Sequence, residues 1–300
     1  DMEDKNSLAG AWVEAARPRT LPASVSPVLL GCALAYYDGM FDITPAVLCL
    51  LVALFAQIAS NFANDYFDFK KGADREDRLG PERAVAQGWI TPKAMLAGTF
   101  VMLGLACLSG LLLICFADWR LIWVGLAIAI CVLAYSAGPF PLAYNGLGDV
   151  CVLLFYGVIP VCFTYYIQTL SFSLLSFLLS VALGLLSVNI LVVNNYRDYV
   201  QDKAARKRTT IVLFGRRAGR VFYVLNECMA FLLVLPLILD APWWILFLFG
   251  ILFALCFYTT RELLTLEGRA LNRTLGHTAR NVFLFAAVLS LLFVYVGSSL

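Results

Sequence analysis

Residues 172–202 read FSLLSFLLSVALGLLSVNILVVNNYRDYVQD, and this stretch gives the clearest indication of the fold class. Its first 25 residues, 172–196, contain no charged side chain, and about 20 consecutive apolar residues are enough to cross a bilayer as a helix. A continuous apolar run of this length lacks the alternation of a strand in a membrane barrel. The stretch therefore predicts a transmembrane helix that ends on a charged segment containing Arg197, Asp198 and Asp202.

The composition of the whole chain indicates the same apolar surroundings. Of its 300 residues, 61% are hydrophobic and 14% are charged, with a mean hydropathy of +0.83, whereas soluble domains are nearer half apolar and a quarter charged. The net charge is only +2 and the basic residues lie between apolar runs, which argues against a nucleic-acid surface. The nine cysteines are scattered without CxxC spacing, so we interpret them as small apolar side chains.

Nine apolar runs satisfy the length criterion for a transmembrane helix. They predict an all-α, polytopic membrane protein with one domain over residues 1–300 and a polar N-terminal segment at residues 1–16. The predicted transmembrane helices cover residues 20–38, 44–66, 94–116, 120–137, 147–168, 172–196, 218–239, 242–260 and 280–297.

Lys and Arg are unevenly distributed among the segments that connect these helices. The 19 residues before the first predicted helix, together with the second, sixth and eighth loops and the helix starts that follow them, contain 21 of the 22 basic residues, and Arg120 is the exception. Basic residues concentrate on the cytoplasmic side of membrane proteins. The N-terminus and the loops at residues 67–93 and 197–217 are therefore predicted to be cytoplasmic, in a multi-pass protein of the inner (cell) membrane.

These two long loops begin with the same short pattern. Asn-x-Tyr-x-Asp occurs at residues 64–68 and again at 194–198, each time at the end of a predicted helix. The Asn and the Asp are four residues apart and share one helix face, and Asp202 continues the second column by another turn. Amide and carboxylate oxygens of this kind suit Mg²⁺, which binds through carboxylates together with substrate phosphates.

Basic side chains flank both columns, as expected where carboxylates hold a metal and cations contact phosphate oxygens. Solvated helix ends are the plain alternative. It is disfavoured because Asn64 and Asn194 lie within apolar runs, where polar groups are costly, and because the pattern occurs twice. The flanking cations are Lys70, Lys71, Arg75, Arg197, Lys203 and Lys207.

Other polar residues allow two interpretations. Gln57 and Asn61 either line a pocket or form hydrogen bonds between helices, and the second is favoured. Glu227, within the seventh apolar run, is either functional or faces a neighbouring helix. His277 is the only histidine, and it is favoured as a surface residue.

Residues 135–150, YSAGPFPLAYNGLGDV, form a segment rich in Gly and Pro. This composition predicts a shaped turn. Its Tyr144 and Asp149 are candidate polar edges of the same cytoplasmic mouth.

Several stretches resemble a known family. NDYFDFKKGAD (64–74) and DYVQD (198–202) are similar to the two Asp-rich motifs of the UbiA superfamily of intramembrane prenyltransferases. ARPRTLPASVSPVLLGCALAYY (16–37), GADREDRLGPERAVAQGWIT (72–91) and residues 135–150 resemble its 1,4-dihydroxy-2-naphthoate polyprenyltransferase branch. The resemblance implies nine helices around a central cavity that opens to lipid. It also implies Mg²⁺-dependent transfer of a polyprenyl group from polyprenyl diphosphate to 1,4-dihydroxy-2-naphthoate with loss of CO₂, giving demethylmenaquinone for menaquinone biosynthesis.

Residue roles follow from the resemblance together with the spacing and charge patterns. The resemblance implies Asn64, Asp68, Asp74, Asp198 and Asp202 as metal ligands, the column spacing adds Asn194, and the expected catalytic residues are Asp68, Asp198 and Asp202. The resemblance suggests that Arg17 and Lys71 bind the diphosphate, and the flanking charges predict the same for Arg197, Lys203 and Lys207. Asp65, Asp77 and Tyr135 are expected to bind the substrate. The two Asp of the first motif are commonly four residues apart, and here Asp74 follows Asp68 by six, so the choice between Asp74 and Asp77 stays open.

Two other functions are compatible with parts of the sequence. The first is prenyl transfer to another aromatic acceptor, such as 4-hydroxybenzoate. The second is secondary transport, since internal repeats also mark transporters. Transporter sites lie near the middle of the bilayer, whereas the polar columns here lie at the helix ends, so transport is disfavoured.

Overall fold

The computed structural model describes residues 7–72 and 78–299, and within these ranges the secondary structure is helical, without strands. Asp74 and Asp77 lie outside the described residues. The helices are α1 (Leu8–Ala16), α2 (Leu21–Tyr37), α3 (Ile43–Lys70), α4 (Pro92–Leu113), α5 (Leu121–Ala134), α6 (Gly148–Leu153), α7 (Ile159–Thr169), α8 (Leu174–Arg197), α9 (Tyr199–Ala204), α10 (Thr210–Leu239), α11 (Trp243–Thr265) and α12 (Leu271–Gly297).

The predicted all-α membrane architecture is confirmed. In the described part of the chain, eight helical stretches are long and apolar enough to cross a membrane, counting α1 with α2 and α6 with α7 as one each. The remaining predicted span, residues 120–137, corresponds to α5, which has 14 residues. A helix of this length extends about 21 Å, less than the roughly 30 Å of the hydrocarbon core.

Several helices extend beyond the apolar runs that predict them. Helix α3 continues to Lys70, α10 begins at Thr210 and α12 begins at Leu271. Hydropathy marks only the part of a helix that needs lipid, whereas polar and charged turns continue the helix towards the aqueous side. Residues 8–16 of the predicted N-terminal segment form α1, which packs Ala11 and Ala15 with Phe62 of α3.

Helix α8 lies at the centre of the bundle, against α6, α7, α10 and α12. Its Gly184 meets Gly157, which lies in the single π-helical turn Leu154–Val158 that joins α6 to α7. A Cβ on Gly157 would lie only 2.5 Å from the Gly184 Cα. The two backbones are therefore in direct contact, as small residues allow between membrane helices.

Helices α4 and α5 lie to one side of this centre, with α4 packed on α3 and α5 packed on both. They expose large apolar side chains, among them Phe100, Leu108, Trp123 and Ile130. Such a surface is compatible with lipid and not with water. A large cavity lies between this pair of helices and α2, α6 and α7.

Both interpretations of Gln57 and Asn61 hold, because they form hydrogen bonds between helical segments and also line the large cavity between the helices. Gln57 accepts a hydrogen bond from the Tyr156 hydroxyl, and Asn61 donates to the Ala16 carbonyl at 2.9 Å. Glu227 accepts a hydrogen bond from Thr260 at 2.6 Å, which agrees with its facing a neighbouring helix.

His277 is partly exposed, with 27% of its side chain accessible. Its Nδ1 lies 2.8 Å from an oxygen of the buried Glu262, whose other oxygen lies 2.9 Å from Arg273. His277 lies outside the predicted spans, but the structure includes it in the first part of α12, which turns the ring towards α11.

Candidate active site

A polar pocket of about 100 Å³ lies where α3 and α8 end. The Asn-x-Tyr-x-Asp pattern explains how both helices reach it, because four-residue spacing keeps Asn and Asp on the inward face. Helix α8 ends at Arg197 and α9 begins at Tyr199, so Asp202 enters the pocket from a separate short helix. The pocket is lined by Asn64, Asp68, Asn194, Asp198 and Asp202. These are all the predicted magnesium ligands among the described residues.

Asp68 is the most enclosed carboxylate of this group, with 4% of its surface exposed. The Tyr144 hydroxyl donates a hydrogen bond of 2.8 Å to its Oδ1. Its Oδ2 lies 3.6 Å from the Arg83 guanidinium and 3.8 Å from the Lys207 ammonium. Asp68 therefore contacts Tyr144, Arg83 and Lys207, which belong to three separate segments around the pocket.

Lys71 and Lys207 both face the ring of Tyr144, with ammonium-to-centroid distances of 4.5 and 4.6 Å. The Lys71 ammonium also donates to the Ser136 carbonyl at 2.6 Å, and partial desolvation of this group lowers its pKa below the usual range. Lys207 lines the polar pocket. Lys203 is solvent-exposed and is not among the pocket-lining residues, so the structure does not bring it to the site.

Asp202 lies close to Lys207, with 3.8 Å between its Oδ1 and the ammonium. Burial raises the pKa of Asp202 to about 6, and the positive charge of Lys207 only partly opposes this effect. A buried carboxyl group whose charge is incompletely balanced gains stability from a nearby divalent cation. The pocket thus has the donor chemistry of a magnesium site.

Arg197 is almost fully buried, with 1% of its surface exposed. Its Nε and Nη2 donate to the two oxygens of Asp198 at 2.7 and 2.6 Å. Nη2 also donates to Asn194 Oδ1, and Nη1 to Asn272 Oδ1, each at 2.6 Å. Every nitrogen of the guanidinium already binds a protein oxygen. The structure therefore shows Arg197 as a support of the second motif, and its role as a diphosphate ligand stays a prediction.

Asp65 departs from its predicted role in substrate binding. Its carboxylate is 2% exposed and accepts from the backbone N–H groups of Ala84 and Val85 at 3.1 and 3.4 Å. One residue along a helix turns a side chain by about 100°, so Asp65 points away from the face of Asn64 and Asp68. It anchors the segment that carries Arg83.

Replacing Asp65 with Ala is expected to loosen the segment around Arg83. The substitution leaves two buried N–H groups without an acceptor, at a cost of about 1–3 kcal/mol for each unsatisfied group. Trypsin should then cut the native protein after Arg83 at least several-fold faster than it cuts the wild type. Asp65→Asn, which keeps one acceptor oxygen, serves as the intermediate control. Equal cleavage rates in all three proteins would contradict the anchoring role.

A larger cavity of about 720 Å³ adjoins the polar pocket. Arg17, Asn64, Tyr135 and Asn194 line both spaces, which places the predicted Arg17 and Tyr135 at the junction. Away from this junction the wall consists mainly of apolar side chains of α2 to α7. The site therefore joins a charged end to an apolar end within the bundle.

Three residues of the site have no counterpart in the predicted set. Arg83 contacts Asp68, the Ser136 hydroxyl donates to Asn64 Oδ1, and Asn272 binds Arg197. Arg83 and Ser136 lie in the stretches 72–91 and 135–150, whose family resemblance was the sequence signal that could have indicated them. Asn272 lies in no motif, and we find no pattern in the sequence that indicates it.

The fold and the site define a helical membrane protein in which an Asn/Asp-lined polar pocket adjoins a deep apolar cavity. More specifically, the chain belongs to the UbiA prenyltransferase family, which it matches over residues 24–275. This finding confirms the resemblance drawn from the Asp-rich motifs.

Two relatives within this family are similar to the chain over about three quarters of its length. The chain is 38% identical over 228 residues to the 1,4-dihydroxy-2-naphthoate octaprenyltransferase of Escherichia coli (strain K12), covering 74% of each chain. It is 37% identical over 235 residues to the enzyme of the same name from Mycobacterium tuberculosis (strain ATCC 25618 / H37Rv), covering 77% of this chain and 79% of the relative.

Solved structures share the fold. A UbiA homologue from Archaeoglobus fulgidus bound to GPP and Mg²⁺ aligns with a TM-score of 0.66 and 18% identity, over 93% of this chain and 99% of that one. The apo structure of a homologue from Aeropyrum pernix K1 aligns with a TM-score of 0.67 and 15% identity, over 89% and 96% of the two chains.

Proposed function

We propose that this protein transfers a polyprenyl group from polyprenyl diphosphate to 1,4-dihydroxy-2-naphthoate, with loss of CO₂, to give demethylmenaquinone. The observation that carries the proposal is the junction of the Asn/Asp-lined pocket with the 720 Å³ apolar cavity. Together they match a substrate with an anionic diphosphate head and a long hydrocarbon chain. The names of the relatives, at 37–38% identity, support the naphthoate acceptor.

The residues of the polar pocket fit Mg²⁺. Among the described residues, no three Asp, Glu, His or Cys side chains are close enough to hold a metal ion by themselves. Mg²⁺ commonly takes only one or two carboxylates and completes its coordination with water and substrate phosphates, so this arrangement is compatible with binding of metal and diphosphate together. The proposed ligands are Asn64, Asp68, Asn194, Asp198 and Asp202, with Asp74 or Asp77 as a further ligand. When bound, the metal supplies positive charge that stabilises the departing diphosphate.

The chain's own cations complete the charge balance. Arg83 and Lys207 contact Asp68, and Lys207 also lies beside Asp202. They are therefore placed to donate to phosphate oxygens next to the carboxylates. Arg17 lines the junction and is proposed to reach the diphosphate or the acceptor. Lys71, held beside Tyr144, is proposed to support the same charge from the edge of the pocket.

The reaction needs a dry, electron-rich environment. The allylic C–O bond breaks with its electron pair leaving on the diphosphate, and the ring carbon that bears the carboxylate attacks the carbocation. The carboxylate then leaves as CO₂, and the electrons of its C–C bond restore the aromatic ring. Tyr135, Phe155 and Tyr156 line the cavity, where their rings exclude water and can stabilise the cation.

The orientation of the site follows from the basic loops. Both Asp-rich motifs lie in segments on the side that carries 21 of the 22 Lys and Arg residues. By the positive-inside rule this side is cytoplasmic. The proposed active site therefore faces the cytoplasm from the inner (cell) membrane, where a water-soluble aromatic acid and a lipid-borne diphosphate can both reach it.

The acceptor is tested with purified protein in lipid nanodiscs, Mg²⁺ and a radiolabelled polyprenyl diphosphate. We expect label in an organic-soluble quinol only with 1,4-dihydroxy-2-naphthoate, and we expect EDTA to abolish the transfer. Release of ¹⁴CO₂ from carboxyl-labelled acceptor should match the prenyl transfer one to one. Transfer to 4-hydroxybenzoate but not to the naphthoate would refute the proposed acceptor while retaining the family reaction.

A further inference from the structure

Asn272 connects two parts of the site that are remote in sequence. It lies in the first turn of α12, 75 residues after Arg197 and 193 residues after Leu79. Its Oδ1 accepts the 2.6 Å hydrogen bond from Arg197 Nη1, and its Nδ2 donates to the Leu79 carbonyl at 2.9 Å. Both polar atoms of the side chain are therefore used within the protein, at the wall of the large cavity.

One of these bonds acts on the second motif. The guanidinium of Arg197 is planar, and its other nitrogens donate to Asn194 and Asp198. Asn272 accepts from Nη1, the one nitrogen of the guanidinium that donates to neither Asn194 nor Asp198, so it helps to fix the orientation of the guanidinium. A rotation of the guanidinium would carry the oxygens of Asn194 and Asp198 with it.

The other bond acts on the segment that follows the first motif. Next to Leu79, Gly80 packs directly on the same guanidinium, and a Cβ there would lie 2.7 Å from Arg197 Nη2. Three residues further on, Arg83 contacts Asp68 at 3.6 Å. The segment 79–83 thus rests on Arg197 at one end and contacts the first motif at the other.

We propose that Asn272 is a positioning residue that couples the two Asp-rich motifs. It fixes Arg197, and through it the oxygens of Asn194 and Asp198, while it holds the segment that brings Arg83 to Asp68. The proposal rests on the proposed function in one respect, namely that the pocket binds Mg²⁺ with a diphosphate. Partners that orient metal ligands typically change metal affinity about 10- to 100-fold when they are removed.

The test compares Asn272→Ala with a matched control on the same helix. Asn281→Ala removes a buried Asn whose Nδ2 donates to the Thr259 hydroxyl at 2.9 Å, away from the pocket. The first readout is the rise in melting temperature that Mg²⁺ with inorganic pyrophosphate produces in each purified protein. Binding to the folded state raises stability in proportion to RT ln(1 + [L]/Kd), so weaker binding gives a smaller rise at equal concentration.

Wild type and Asn281→Ala are expected to show the same rise, and Asn272→Ala a clearly smaller one. The second readout is prenyl transfer as a function of Mg²⁺ concentration. Asn272→Ala should need about 10-fold more Mg²⁺ for half-maximal rate, whereas Asn281→Ala should need the same amount as wild type.

Two outcomes would overturn the coupling role. One is an unchanged Mg²⁺ requirement and thermal shift in Asn272→Ala, and the other is an equal loss in Asn281→Ala, which would indicate general destabilisation. Absence of any Mg²⁺–pyrophosphate effect on the wild type would also overturn it. Absence of prenyl transfer in a wild type that still binds Mg²⁺–pyrophosphate would instead refute the proposed function and leave the coupling to be judged by the thermal shifts.

Discussion

Asp68→Asn is expected to lower prenyl transfer by roughly 100-fold or more, the scale seen when a group that organises developing charge is removed from an active site. The amide has the shape of the carboxylate and can still accept the 2.8 Å hydrogen bond from Tyr144. It lacks the negative charge that Arg83 and Lys207 face in the pocket. A divalent cation in the pocket would therefore be repelled by Arg83 and Lys207, with one fewer carboxylate to balance these charges.

The measurement is the initial rate of transfer at saturating Mg²⁺, with the melting temperature of the same preparation as a check on folding. Asp118→Asn is the control, because Asp118 caps the Arg120 backbone at 2.8 Å in the loop between α4 and α5, outside both cavities. We expect the control to keep its full rate. A folded Asp68→Asn protein with a nearly normal rate would exclude Asp68 as a metal ligand.

The sequence was sufficient for those features of the site that depend on helix geometry alone. Run length predicts the spans, and the four-residue spacing in residues 64–68 and 194–198 predicts that Asn and Asp share a face. The structure shows both columns at one pocket. The Gly- and Pro-rich turn at residues 135–150 contains Tyr144 and Asp149, the candidate polar edges of the mouth, and both line the pocket, where Tyr144 donates to Asp68.

Helix geometry also contained a signal that the prediction for Asp65 did not use. Asp65 is adjacent to Asn64, so its side chain points about 100° away around the helix axis. A residue that belongs to a motif in sequence can therefore lie outside the pocket in space. The structure shows this directly, since the carboxylate binds the N–H groups of Ala84 and Val85.

Other features depend on contacts between distant segments, which no local pattern encodes. Arg197 precedes an Asp in a basic loop, and this context suggests a solvent-facing phosphate ligand. Whether a guanidinium turns outward or inward depends on what the rest of the fold offers to bind. Here Asn272, 75 residues later, completes an internal set of acceptors, and the arginine is buried.

Arg197→Gln is consequently expected to lower stability more than any other single charge substitution at the site. Removing one partner of a buried ion pair typically costs about 3–5 kcal/mol, because the remaining charge is left without compensation. Asp198, Asn194 and Asn272 would all lose their donor. Arg120→Gln is the matched control. That side chain is 78% exposed and lies 4.0 Å from Asp118, and an exposed pair contributes less than about 1 kcal/mol.

Arg197→Lys separates charge from geometry in the same experiment. A lysine restores the positive charge beside Asp198 but cannot donate simultaneously to three residues in one plane. We expect it to recover part of the melting temperature lost in Arg197→Gln, while its transfer rate stays far below that of the wild type even at high Mg²⁺. A lysine variant with the full rate would show that the charge alone supports the second motif. In that case the planar fork between Asn194, Asp198 and Asn272 would have no part in catalysis.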